Sequence, residues 1–144
     1  MSALGARAGS GLLAALLVQC SPAAKLCPQV EVPPSVTGVT ANPESGSAPL
    51  EVILEATVEP GCTDGCCDKS IPIESFGWDL DGDQTIDVTG LDATAYQAEY
   101  PDPGAFTAAA WVADDSRPRL AEGAAVAECT PSQALCASVT ITVW

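Results

Sequence analysis

The stretch Leu50-Glu51-Val52-Ile53-Leu54-Glu55-Ala56-Thr57-Val58-Glu59 decides the fold class of this chain. Leu50, Val52, Leu54, Ala56 and Val58 fall on one side, and Glu51, Glu55 and Glu59 on the other. Successive side chains of an extended strand point to opposite faces, so a period of two marks a half-buried strand. Working outward, Val36-Thr37-Gly38-Val39-Thr40 alternates in the same way, and Asn42 to Pro49 has the composition of a loop. A cysteine-rich loop, Pro60 to Ser70, follows the central stretch. Ile71 to Leu80 is then a strand with Phe76, Trp78 and Leu80 on one face. Ala93 to Tyr100 is a weaker candidate. Phe106 to Ala113 is predicted to turn Phe106, Ala108, Ala110 and Val112 inward, and Ser138 to Val143 alternates through Val139, Ile141 and Val143. Ala121 to Val126 reads as a short helical turn. Short strands at this spacing predict an all-β antiparallel sandwich over residues 35–144.

The residues before that region read as an export signal. Arg7 is the only charge ahead of the apolar run Gly11 to Val18, and small residues follow at Ser21 to Ala24. This order is that of a secretory signal peptide over residues 1–19. The run is far short of the roughly 20 apolar residues a membrane-spanning helix needs. Leu17-Val18-Gln19-Cys20 resembles the lipobox of bacterial lipoproteins, which implies a lipid anchor on Cys20 and an outer-membrane location. A cut after Ala23, with small residues at Ser21 and Ala23, is the alternative and implies a periplasmic or secreted protein. Residues 20–34, stiffened by Pro28, Pro33 and Pro34, form the expected tether.

The chain holds seven cysteines, and either cut sets Cys20 apart. Cys27, Cys62, Cys66, Cys67, Cys129 and Cys136 remain, an even set that reads as disulfides in an exported chain. A zinc site is the other reading, but there is no histidine and no pair of CxxC motifs. Alanines at 108 and 110 leave a thin core, so bridges worth roughly 2–4 kcal/mol each have a stability rationale. Six cysteines allow several pairings. Cys129 with Cys136 is the first expectation, and bridges between the two cysteine-bearing loops are the rival.

Charge narrows the partners. The net charge is −14, from 19 acidic and 5 basic residues, and every carboxylate lies after the apolar run. Such a surface repels nucleic acid and anionic lipid, and it favours solubility or cation binding. The absence of histidine removes the Ser-His and Cys-His nucleophile pairs. Catalysis is not expected.

Several segments together resemble the PKD domain, the immunoglobulin-like module named after polycystic kidney disease protein. Ala41-Asn42-Pro43, Gly46 and Ala48-Pro49-Leu50 with Val52 match its opening. Phe76-Gly77-Trp78-Asp79-Leu80-Asp81-Gly82-Asp83 matches its most diagnostic stretch. Tyr100, Pro103-Gly104, Phe106-Thr107, Val112 and Asp114 match its penultimate strand region. The resemblance spans about Val36 to Val143 and implies an immunoglobulin-like sandwich acting as a non-catalytic extracellular module. The Cys62 to Cys67 loop and the long segment Ser116 to Ala137 depart from the family pattern. The expected role is an envelope-anchored binding or spacer module for a protein or carbohydrate. A calcium-dependent adhesive module and an accessory subunit of a secreted hydrolase complex are the alternatives.

Two local features carry candidate chemistry. Asp79, Asp81, Asp83 and Asp87 occupy positions 1, 3, 5 and 9 of a loop similar to the calcium loops of EF-hand and dockerin proteins. Closely spaced carboxylates supply the oxygens that a hard cation requires. Gln84 stands where those loops carry glycine, and Gly90 stands where they carry a bidentate Glu. In the PKD reading Asp79 and Asp83 instead cap a tight turn. Trp111 alternates outward from the core and is the candidate contact for a partner or sugar ring. The topology implied by the resemblance places all six cysteines at one pole and Asp79 to Asp87 at the other.

Overall fold

The computed structural model describes residues 30–64, 67 and 69–144. The leader over 1–19, the anchor Cys20, and Cys27 and Cys66 of the expected disulfide set lie outside the described residues.

Alternation becomes burial along the central strand. Val52 and Leu54 are wholly buried, whereas Glu51, Ile53 and Glu55 between and beside them are exposed. In chain order the strands are β1 (Ser35–Asn42), β2 (Ser45–Gly46), β3 (Leu50–Glu59), β4 (Gly61–Cys62) and β5 (Ser70–Ile71). They continue as β6 (Ser75–Asp79), β7 (Val88–Thr89), β8 (Ala95–Tyr100), β9 (Gly104–Ala113) and β10 (Cys136–Val143). One sheet has the order β1-β3-β8 and is antiparallel throughout. The second has the order β2-β10-β9-β6-β7, with β2 alone parallel to its neighbour. The small pair β4-β5 stands apart.

The two larger sheets share one core, as an all-β sandwich requires. Val36, Leu50, Val52 and Leu54 from the first meet Phe76, Trp78, Val112, Ile141 and Val143 from the second. Trp78 is fully buried, and its indole N–H donates to the Ala93 carbonyl at 2.6 Å. Its ring stands edge-on to Phe76, with centroids 5.7 Å apart, a favoured aromatic geometry. Ala110 lies directly opposite Trp78 in the ladder and is also fully buried, so the small side chain makes room for the large one.

Three expectations are corrected. The strand predicted over Ile71 to Leu80 reduces to β6, because Pro72 follows β5 and has no N–H to donate to a ladder. Ala121 to Val126 is not a helical turn. It forms a turn at Glu122-Gly123, then an isolated antiparallel bridge between Ala125 and Thr85. The end of the expected tether also belongs to the fold. Val32 exchanges two backbone hydrogen bonds with Cys62, at 2.8 and 2.7 Å, and Pro34 is among the fully buried side chains.

The segment between β9 and β10 positions the rest. It crosses the outer face of the five-stranded sheet instead of looping into solvent. Leu120 donates its N–H to the Ser75 hydroxyl, Gly123 to the Ile86 carbonyl and Val126 to the Gln84 carbonyl. A second apolar cluster forms beneath it, with Ile86, Ala109, Trp111 and Cys136 buried and Leu120, Ala124, Val126 and Leu135 packed against them. All five residues of β6 are consequently buried, on both faces.

Candidate functional site

β6 ends on Asp79, and the chain turns back over the next eight residues. The turn closes where the Asp87 N–H donates to the Trp78 carbonyl at 2.8 Å. The carboxylates build this loop by accepting from its own backbone. Asp79 takes the N–H of Gly82 on one oxygen at 3.0 Å and that of Gln84 on the other at 2.9 Å. Asp81 accepts from Asp83 at 3.2 Å, Asp83 from Thr85 at 2.9 Å, and Asp87 from Leu80 at 2.7 Å. These are the side-chain-to-backbone bonds that favour Asp in turns.

Two backbone positions are left-handed. Gly82 has φ +80°, and a Cβ there would also lie 3.2 Å from the Thr107 carbonyl oxygen. Gln84 has φ +66°, so it adopts the conformation that glycine supplies in the calcium loops this stretch resembles. At the twelfth position Gly90 is already back on the sheet, donating to the Phe76 carbonyl at 3.1 Å. The carboxylate set therefore ends at Asp87.

One ligand oxygen from each of Asp79, Asp81, Asp83 and Asp87 lies within 4.8 Å of all the others. Calcium–oxygen distances are about 2.3–2.6 Å, so oxygens on one coordination shell stand at most about 5 Å apart. The four carboxylates fit a single hard cation. Asp79 is buried, while Asp81 and Asp83 are exposed. Burial pushes the Asp79 carboxyl above the usual carboxylate range, the Gln84 and Gly82 N–H groups pull it back, and Asp83 and Asp81 push it further up. Burial raises Asp87 in the same way, against the Leu80 N–H, with Asp81 and Asp83 adding to the rise. Among the described residues the one ion pair is Arg117 with Asp114 at 2.7 Å, so no basic side chain offsets this cluster.

Trp111 is corrected. It points away from the inter-sheet core, as alternation predicts, yet it is only 8% exposed because the β9–β10 segment covers it. It does not stand on the open surface as an exposed ring. Its indole N–H is buried without an acceptor, a situation that costs about 1–3 kcal/mol.

Among the described residues the cysteines pair locally. Cys129 bonds Cys136, the short loop expected first, and Cys62 bonds Cys67. The division into two poles does not hold. Cys129 lines the same shallow cavity, about 160 Å³, as Asp79, Gly82, Gln84 and Trp111. The covering segment carries Cys129 down the outer face toward the aspartate loop before returning to β10.

Sequence reasoning did not assign the roles of Ile86, beside the site, and of Asp114, past the end of β9 that pairs with Ser75. Ile86 is 1% exposed and leaves the aspartate loop to anchor the outer cluster. Asp114, 2% exposed, accepts from Ser116 and pairs with Arg117 where the covering segment begins. The signal for the cover was present in Ala108-Ala109-Ala110-Trp111-Val112-Ala113, an unbroken apolar run that implies burial on both faces. No family model matches the chain, and no curated protein matches it.

Proposed function

We propose that this chain is an exported, non-catalytic module of the PKD type. It is held at the cell envelope by a lipid on Cys20 and serves as a binding or spacer unit for a protein or carbohydrate partner. Its aspartate loop takes one calcium ion, which stiffens the loop. The observation that carries the calcium reading is the convergence of four carboxylate oxygens within 4.8 Å, without a basic side chain paired to any of them among the described residues. The burial of Trp78 in the shared core and the hydrogen-bonded loop after it support the PKD reading.

A hydrogen-bonded turn without metal is the second reading, favoured by the backbone N–H groups that already occupy one oxygen or both on each aspartate. Thermal unfolding of chelator-treated protein separates the two. Calcium at millimolar concentration is expected to raise the melting temperature by mass action on the folded state. Asp81→Ala and Asp83→Ala are expected to abolish the rise. If the wild-type protein shows no rise, the metal reading fails and the turn stands alone. For the anchor, Cys20→Ala is expected to leave an unprocessed or released form, and unchanged membrane attachment would refute lipidation there.

A further inference from the structure

An apolar pocket of about 210 Å³ opens where the covering segment meets the outer face of the five-stranded sheet. Trp111, Leu120, Val126 and Leu135 contribute to its walls, and Arg117 and Arg119 also line it. Among the described residues the basic side chains are Lys69, Arg117 and Arg119. Two of the three therefore border one apolar pocket, on a chain whose net charge is −14. Arg117 is committed to Asp114 at 2.7 Å. Arg119 is exposed and makes no ion pair among the described residues.

We propose that this pocket binds a small monocarboxylate with an aromatic or branched apolar body, the body seated against Trp111 and Leu120 and the carboxylate taken by Arg119. Size sets the upper bound. The volume is below the roughly 300–1,000 Å³ usual for drug-sized ligands, which restricts the occupant to about one ring and a short tail. Charge sets the headgroup. The Arg119 guanidinium favours an anion, while Glu74 and Glu122, which line a neighbouring cavity with it, penalise each additional negative charge, so a single carboxylate is preferred over a phosphate or a polyacid. The pocket includes none of the four aspartates, although Ala125 and Val126 in its wall are bonded to Thr85 and Gln84 of their loop.

The test uses the ¹⁵N-labelled full chain, titrated with 3-phenylpropionate and with its neutral analogue 3-phenylpropan-1-ol. The carboxylate is expected to shift the Trp111 indole N–H and the amides of Ala124 to Ala127, with a Kd that is roughly millimolar, as its few heavy atoms allow. Arg119→Gln, a change at an exposed position, is expected to weaken the carboxylate by about three- to fivefold and to leave the alcohol unaffected. The proposal is overturned if these resonances stay still at roughly ten times that concentration. It is equally overturned if the alcohol binds as tightly as the acid, or if Arg119→Gln changes nothing.

Discussion

Tyr100 donates its hydroxyl to the Leu80 carbonyl across 2.8 Å, tying the last residue of one sheet's edge strand to the loop that leaves the other sheet. The Tyr100 ring packs against Phe106 with centroids 5.0 Å apart. Burial, with Asp81, Asp87 and Asp79 nearby, pushes its phenol from 10.0 up to about 12. The aspartate loop is thus held from the opposite sheet as well as from its own backbone.

Removing that hydroxyl tests the tie. Tyr100→Phe is expected to cost about 0.5–1.5 kcal/mol, the net worth of one such bond. The raised phenol also predicts the alkaline behaviour. A group whose folded pKa lies above its unfolded value contributes stability that is complete below the unfolded value and is lost as pH rises through the folded one. The wild-type protein should therefore lose this contribution between about pH 10 and 12, and Tyr100→Phe should lack that component. Denaturant unfolding of both proteins across this range checks it.

Asp79 accepts two backbone N–H groups on two oxygens, and an amide cannot reproduce this. Asp79→Asn turns an NH₂ toward one of those donors and is expected to destabilise the calcium-free protein by about 1–3 kcal/mol. Asp79 and Asp87 are both raised, so in the absence of metal their contribution is present below the ordinary carboxylate range. It is lost as pH rises through their folded values. Asp114 runs the other way. The Ser116 hydroxyl and Arg117 hold it low against the effect of burial, so its contribution exists above the ordinary range and disappears on acidification. Asp114→Asn should flatten the acid limb of a stability-versus-pH curve, and an unchanged limb would contradict the assignment.

Ile86 joins the aspartate loop to the covering segment and is buried. Ile86→Ala is expected to cost about 2–5 kcal/mol, as truncations in packed cores do. Ile53→Ala, at a position 49% exposed, should stay within about 0.5 kcal/mol. Hydrogen exchange in Ile86→Ala should accelerate at the Gly123 and Val126 amides, which bond the loop carbonyls of Ile86 and Gln84. Unchanged protection there would show that the cover is held independently of the loop.

Glu51 and Glu99 face each other across the β3–β8 ladder, both exposed. Like charges directly opposite in an antiparallel pair are unfavourable. Glu99→Lys is expected to stabilise the fold by about 0.2–1 kcal/mol at low salt, with the gain shrinking at high salt as screening sets in. Melting temperatures at two ionic strengths decide it.

The long strands and the local chemistry of the turns were legible in the sequence. A period of two is written into β3 because each strand residue chooses a face without reference to distant partners. The aspartate loop was legible for the same reason, since its carboxylates bond N–H groups between two and seven residues away. The pairing of Cys129 with Cys136 is likewise local, at a separation of seven residues. The burial of Trp111 follows from packing between distant segments. Alternation says which face a side chain takes, but not whether another part of the chain covers that face. Leu120, Ala124, Val126 and Leu135 reach Trp111 from a segment without regular strands, held by backbone bonds to Gln84 and Ile86 roughly forty residues earlier. No periodic pattern marks such a segment, because its backbone partners are supplied by the loop it lands on. The convergence of four carboxylates within 4.8 Å also belongs to the folded loop. It depends on the left-handed turns at Gly82 and Gln84 and on Asp87 being brought back to Leu80.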